Sequence, residues 1–199
     1  MTVLPYGGSA VLVEAQDVLG LQAALAADLP AGVVELVPAA RTLLVRFDPA
    51  AVEVGSLTRL LSSMSTVDVV GAAADSVTVP VRYDGADLAD VAEASGLSVR
   101  EVVSLHSSTS YVVSFCGFAP GFAYLTGLDP ALHLPRRSVP RTRVPAGSVA
   151  IAGEYSAVYP RPSPGGWHLV GTTSLSMWEV ELDPPNRLTP GTRVRFEAV

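Results

Sequence analysis

The chain contains no lysine: its 13 basic residues are all arginine. That absence excludes a phosphate loop with its Lys, a lysine Schiff base and a Ser-Lys dyad, at least from residues of this chain. Cysteine is nearly absent as well. The single Cys116 has no partner for an internal disulfide, which fits a reducing, cytoplasmic setting. No apolar run approaches the ~20 residues that cross a bilayer. The N-terminus has no basic flank before an apolar stretch, so neither membrane nor secretory signal is expected. A net charge of −6 disfavours a sequence-independent grip on nucleic acid. His133 and His168 lack neighbours at metal-ligand spacing, so no metal site is expected. There is no internal repeat and no low-complexity tract.

What is present is a globular composition, 49% hydrophobic and 16% charged, over 199 residues. At ~100 residues per domain, two domains are a reasonable expectation. The acid excess lies in the first part of the chain, where residues 1 to 75 hold three arginines against eight acids. Residues 9 to 14 read as a strand, and Asp17 can cap a helix with Leu21, Ala24, Leu25 and Leu29 on one face before Pro30. The β-branched runs 33 to 38 and 42 to 47 read as a hairpin. Leu57, Leu60, Leu61 and Met64 then fall on the core face of a second helix, and residues 67 to 70 can return as a strand. The order β-α-β-β-α-β predicts a ferredoxin-like unit over 1–75.

Residues 71 to 75 read as a boundary, and a second domain is expected over 76–199. It begins with an extended segment whose Pro80 confines it to an edge. Two short helices follow within 86 to 106, separated by Gly96, the second started by a Ser98–Glu101 capping box. Their resemblance to a helix-turn-helix is superficial, because the second offers only Arg100 to a phosphate backbone. From Tyr111 the pattern is all β, with strands expected at 111 to 115, 148 to 152, 156 to 160, 167 to 171, 174 to 180 and 192 to 197. Short strands between Gly/Pro turns predict a closed or nearly closed barrel.

The residues suited to chemistry gather between 116 and 167. Gly117, Phe118, Pro120, Gly121 and Phe122 form a GFAPGF loop, either packed in place or walling a pocket. Arg136, Arg137, Arg141 and Arg143 lie among prolines. Each carries a planar fork suited to carboxylate or phosphate, and Arg141 and Arg143, at the start of a strand, are the anion-binding candidates. Gly165 and Gly166 could form a backbone anion nest beside Trp167, or a tight hairpin turn. His106, in the last turn of a helix, either satisfies its carbonyls or serves as a proton shuttle. Cys116 has no base in reach along the sequence and reads as a small buried residue.

Taken together, GLSVREVVSLH (96 to 106), GFAPGFAYLTGLDP (117 to 130), PRTRVPAGSVAIAG (140 to 153), YP with SPGGWHLVGTT (159 to 173) and PGTRVRF (190 to 196) resemble the family of 5-oxoprolinase B subunits. That family is also called allophanate hydrolase subunit 1 and includes a sporulation-kinase inhibitor. The segment 176 to 187 departs from the shorter link expected there. The resemblance implies an α+β protein, with a small ferredoxin-like domain followed by a cyclophilin-like β-barrel. It implies a cytoplasmic subunit of an ATP-dependent enzyme that hydrolyses the lactam of 5-oxo-L-proline to L-glutamate, inactive alone. The implied partners are the carboxylase-like C subunit of the 5-oxoprolinase, together with its third, A-type subunit. His106, Arg141 and Arg143 would then be catalytic, and Gly117, Phe118, Pro120, Gly121, Phe122, Gly165, Gly166 and Trp167 would bind substrate. The inhibitor branch implies an alternative, a non-catalytic regulator that binds a sensor histidine kinase.

Overall fold

Alternating apolar residues and well-placed caps set most of the local elements. The computed structural model describes residues 1–64 and 76–199. The chain divides into two compact units, Met1–Ala73 and Ala74–Val199.

The first unit contains β1 (Thr2–Pro5), β2 (Ala10–Glu14), α1 (Val18–Ala27), β3 (Val33–Pro38), β4 (Thr42–Phe47) and α2 (Val54–Ser63). The strands form an antiparallel sheet in the order β1-β2-β4-β3. Helix α1 starts where Asp17 accepts the Gly20 N–H at 2.8 Å, satisfying a donor the first turn leaves free. Val11, Val13, Leu21, Leu25, Leu43, Val45, Leu57 and Leu61 make the core. The helical faces are narrower than their spacing predicts: Leu29 lies beyond the end of α1, and both it and Leu60 are exposed. The strand expected at 67 to 70 falls outside the described residues. Strand β1, unpredicted, pairs along β2 from Thr2 opposite Glu14 to Pro5 opposite Val11.

The second unit begins with β5 (Ser76–Val81), α3 (Leu88–Ser95) and α4 (Val99–Ser108). Gly96 ends α3 in the left-handed region at φ 70°, and Ser98 and Glu101 form the reciprocal capping box. Then come β6 (Ser110–Cys116), β7 (Ala123–Thr126), β8 (Arg141–Val144), β9 (Ser148–Ala152), β10 (Tyr155–Val158), β11 (Ser163–Gly165), β12 (His168–Thr172) and β13 (Arg193–Ala198). Seven strands form one sheet in the order β12-β9-β10-β7-β6-β13-β5, while β11 and β8 pair separately. Its two outer strands meet where Arg82 and Thr172 exchange backbone hydrogen bonds of 2.9 and 2.8 Å, so the sheet curls into a nearly closed barrel.

The period-two alternation of these strands creates two apolar compartments. Val149 and Ile151 of β9, Leu125 of β7, Val158 of β10 and Val170 of β12 face the main core, where Tyr111 and Phe196 also pack. Their neighbours Ala150, Ala152, Ala157 and Leu169 face the other way, into a smaller cluster with Phe122, Tyr159 and Trp167. Every residue of β9 is therefore buried.

One strand expectation is overturned. Residues 174 to 180 alternate like a strand, with Met177 buried and Val180 exposed, yet make only an isolated bridge from Trp178 to Asn186. The alternation reflects Leu175 and Met177 packing against the core, and no neighbouring strand among the described residues lies alongside to complete a ladder.

Candidate functional site

The site grows from the smaller apolar compartment. Between β6 and β7 the chain turns through the GFAPGF loop, held by the Gly117 N–H to the Phe122 carbonyl at 3.1 Å and the Phe122 N–H to Ala119 at 2.9 Å. Gly121, at φ 82°, must be glycine, since a Cβ there would sit 2.8 Å from the Trp178 Cβ. Phe118 adopts φ 67°, an uncommon left-handed geometry for a bulky residue, and is 60% exposed. Phe122 packs edge-on to Tyr124, Tyr159 and Trp167, with ring centroids 5.0 to 5.6 Å apart.

These rings wall a cavity of about 70 Å³ lined by Phe118, Phe122, Tyr124, Tyr159 and Trp167, with Pro164, Gly165, Gly166 and Arg136 completing it. Gly165 matters sterically, because a Cβ there would lie 2.2 Å from the Tyr159 hydroxyl. Burial pushes the Tyr124 and Tyr159 hydroxyls up, against the opposing charge of Arg136, so both stay protonated at neutral pH.

The arginine cluster divides. Asp87, just before α3 and 1% exposed, accepts from Arg141 Nη2 and Nη1 at 2.7 and 2.8 Å, from Arg137 Nη1 at 2.5 Å, and from the Leu169 N–H at 2.7 Å. Burial pushes its carboxyl up. The Arg141 hydrogen bonds, the Leu169 N–H and the two arginine charges outweigh that, and the net direction is down. The fork of Arg141, expected to receive an anion, is thus filled by a carboxylate of the same chain. Arg143 is exposed on β8 and does not line the cavity. The arginine that does is Arg136.

His106 lies apart from the cavity in the main barrel core. It is fully buried, with Nδ1 2.7 Å from the Tyr83 hydroxyl, Nε2 2.9 Å from the Ser156 hydroxyl, and its ring stacked on Phe196. Burial pushes its pKa down to about 3, leaving a neutral ring that joins α4 to β10 and β13. Its geometry is that of a buried polar bridge.

Of the other expected site residues, Phe118, Phe122, Gly165, Gly166 and Trp167 line the cavity, while Gly117, Pro120 and Gly121 shape its loop without facing it. Gly165 lies in strand β11 rather than a turn, and neither it nor Gly166 has positive φ, so the expected nest is not formed. Cys116 donates to the Leu188 carbonyl at 3.3 Å, and burial pushes its thiol up. Among the described residues no group of three His, Cys, Asp or Glu side chains could hold a metal ion. Sequence reasoning passed over Tyr124, Tyr159 and Asp87. The alternation of β7, and that of β10 carried one residue beyond its end, placed both tyrosines on the Phe122 face, a signal that could have found them; nothing local marked Asp87.

The model of the carboxyltransferase domain, subdomains C and D, matches residues 1–188. A 5-oxoprolinase B subunit from Escherichia coli O157:H7 is 44% identical over 173 residues, 85% of this chain and 79% of that protein. Another from Bacillus subtilis is 45% identical over 123 residues, 60% of this chain and 51% of that one. Among solved structures, the protein TTHA0988 superposes with a TM-score of 0.82 at 39% identity, over 96% of this chain and 40% of that chain. The chain thus spans about half the length of the Bacillus relative and less of TTHA0988. With a family match along nearly its whole length and relatives above 40% identity, the chain belongs to the carboxyltransferase-domain family of subdomains C and D, alongside the B subunits of 5-oxoprolinases.

Proposed function

We propose that this chain is the B subunit of an ATP-dependent 5-oxoprolinase, hydrolysing the lactam of 5-oxo-L-proline to L-glutamate together with the A and C subunits. The observation that carries the reading is the 44% identity to a 5-oxoprolinase B subunit that this chain covers over 79% of its length. The reading includes the two-domain plan, ferredoxin-like over 1–75 and cyclophilin-like over 76–199, and a cytoplasmic hetero-oligomer. No helix among the described residues is long and apolar enough to cross a membrane.

A lactam carbonyl is a poor electrophile, and ATP would supply the phosphoryl group that activates its oxygen toward water. The aromatic cavity does not fit a nucleotide: it holds about 70 Å³, and the nearby Arg137 and Arg141 are held by Asp87. The nucleotide therefore belongs to the other subunits or their junction in this reading. What this chain offers is a small, aromatic-walled cavity lined by one arginine, able to orient a small substrate. No observation favours the kinase-binding alternative.

Reconstitution tests the reading. The three subunits together should form glutamate from 5-oxoproline and ATP, and omission of this chain should abolish turnover. Undiminished glutamate formation without it would overturn the assignment.

A further inference from the structure

We propose that Arg136 and the aromatic cavity beneath it form a recognition site for a small cyclic carboxylate, the guanidinium receiving the carboxylate and the rings enclosing the ring of the ligand. This rests on the 5-oxoprolinase reading and assigns the substrate's anionic end to one residue of this chain.

Four observations support it. Size comes first: about 70 Å³ at roughly 10–15 Å³ per water is room for about five to seven waters, the scale of a small ring. Drug-sized ligands occupy several times more. Second, the walls are flat and apolar, and the tyrosine hydroxyls that reach them stay protonated, so no anion in the lining repels a carboxylate. Third, Arg136 has no carboxylate partner among the described residues, whereas Arg137 and Arg141, on the same segment, are paired with Asp87. Arg136 lines the cavity together with Tyr124 and Tyr159.

Fourth, the segment is anchored on both sides of the open fork. The Arg137 N–H donates to the Gly166 carbonyl at 2.8 Å, its side chain is tied to Asp87, and Pro135 precedes Arg136. A fixed backbone lowers the entropy cost of holding one long side chain against a ligand. Gly166 opposes the segment without a side chain, and a Cβ there would approach the Arg136 Cβ at 3.9 Å.

The test uses the full chain, labelled with ¹⁵N, and follows the indole N–H of Trp167, assigned with a Trp178→Phe variant. The probes are 5-oxo-L-proline and 2-pyrrolidinone, the same lactam without the carboxylate. Saturable movement of the Trp167 signal by 5-oxoproline is expected, with 2-pyrrolidinone at least about tenfold weaker. Arg136→Gln should weaken 5-oxoproline by about tenfold or more, the loss of a charge-assisted contact, and leave 2-pyrrolidinone unchanged. Arg100→Gln, on exposed α4, should alter neither.

No movement with 5-oxoproline, equal affinity for the two lactams, or an Arg136→Gln affinity within twofold of wild type would each overturn the proposal. The comparison of the two lactams needs no variant, so a poorly folded Arg136→Gln protein would not shield it. A negative titration would leave the omission experiment on the reconstituted complex standing, and failure of that experiment would leave the titration standing. The two readings therefore fail separately.

Discussion

Replacing Asp87 with alanine should be among the most damaging single changes to the second unit. The carboxylate is 1% exposed and accepts from Arg137, Arg141 and the Leu169 N–H, joining the start of α3 to β8 and β12. Removing one partner of a buried ion pair costs roughly 3–5 kcal/mol, because the remaining charge stays desolvated. Here the arginine side chains keep 25% and 29% exposure and can recover some hydration, so about 2–4 kcal/mol is expected. Both tryptophans, Trp167 and Trp178, lie in this unit, so their fluorescence reports its unfolding alone. With a urea dependence of about 2 kcal/mol per M, the midpoint should fall by about 1–2 M. An Asp87→Ala midpoint within about 0.3 M of wild type would refute the reasoning. A double-mutant cycle with Arg141→Ala should return a favourable coupling of about 1–3 kcal/mol, and coupling near zero would mean the fork merely touches the carboxylate.

Two further changes follow from the same structure. His106 is neutral in the fold with a pKa near 3, against an ordinary value near 6.5, so the unfolded chain binds a proton that the folded chain refuses. Its contribution is complete above about pH 6.5 and is lost as pH falls toward 3, with a slope approaching ~1.4 kcal/mol per unit. His106→Gln should flatten the dependence of the urea midpoint on pH between 6 and 4, and a wild-type midpoint already flat there would contradict it. Phe118→Gly should relieve a left-handed backbone worth about 1 kcal/mol while sacrificing little burial, since Phe118 is 60% exposed. A thermal midpoint unchanged or raised by a few degrees is expected, together with reduced glutamate formation in the complex; a clear thermal loss would show that the ring contributes more than its strain.

Much of the fold was legible because its determinants are local. Asp17, Gly96 and the Ser98–Glu101 box act across three or four residues, within the reach of one helical turn, and mark helix ends in any context. The alternation in SVAIA marks a strand because pleating places neighbours on opposite faces. The same logic failed at 174 to 180, where alternation came from Leu175 and Met177 packing on the core, and a strand needs a partner that local pattern does not supply. Strand β1 was missed for the converse reason: its four residues carry little pattern, and pairing with β2 decides it.

The candidate site divides along the same line. The sequence by itself determined that no lysine could meet an anion, leaving arginine or a backbone nest, and that the Gly/Phe loop and the arginine-rich segment would lie near surface turns. Only the tertiary structure decided which arginine is open. Arg136 and Arg141 sit five residues apart with the same chemistry, but Asp87, separated from Arg141 by 54 positions, closes the fork of one and leaves the other at the cavity rim. A buried carboxylate drawn from that far along the chain has no local signature, because its partners are chosen by how helix and strands pack.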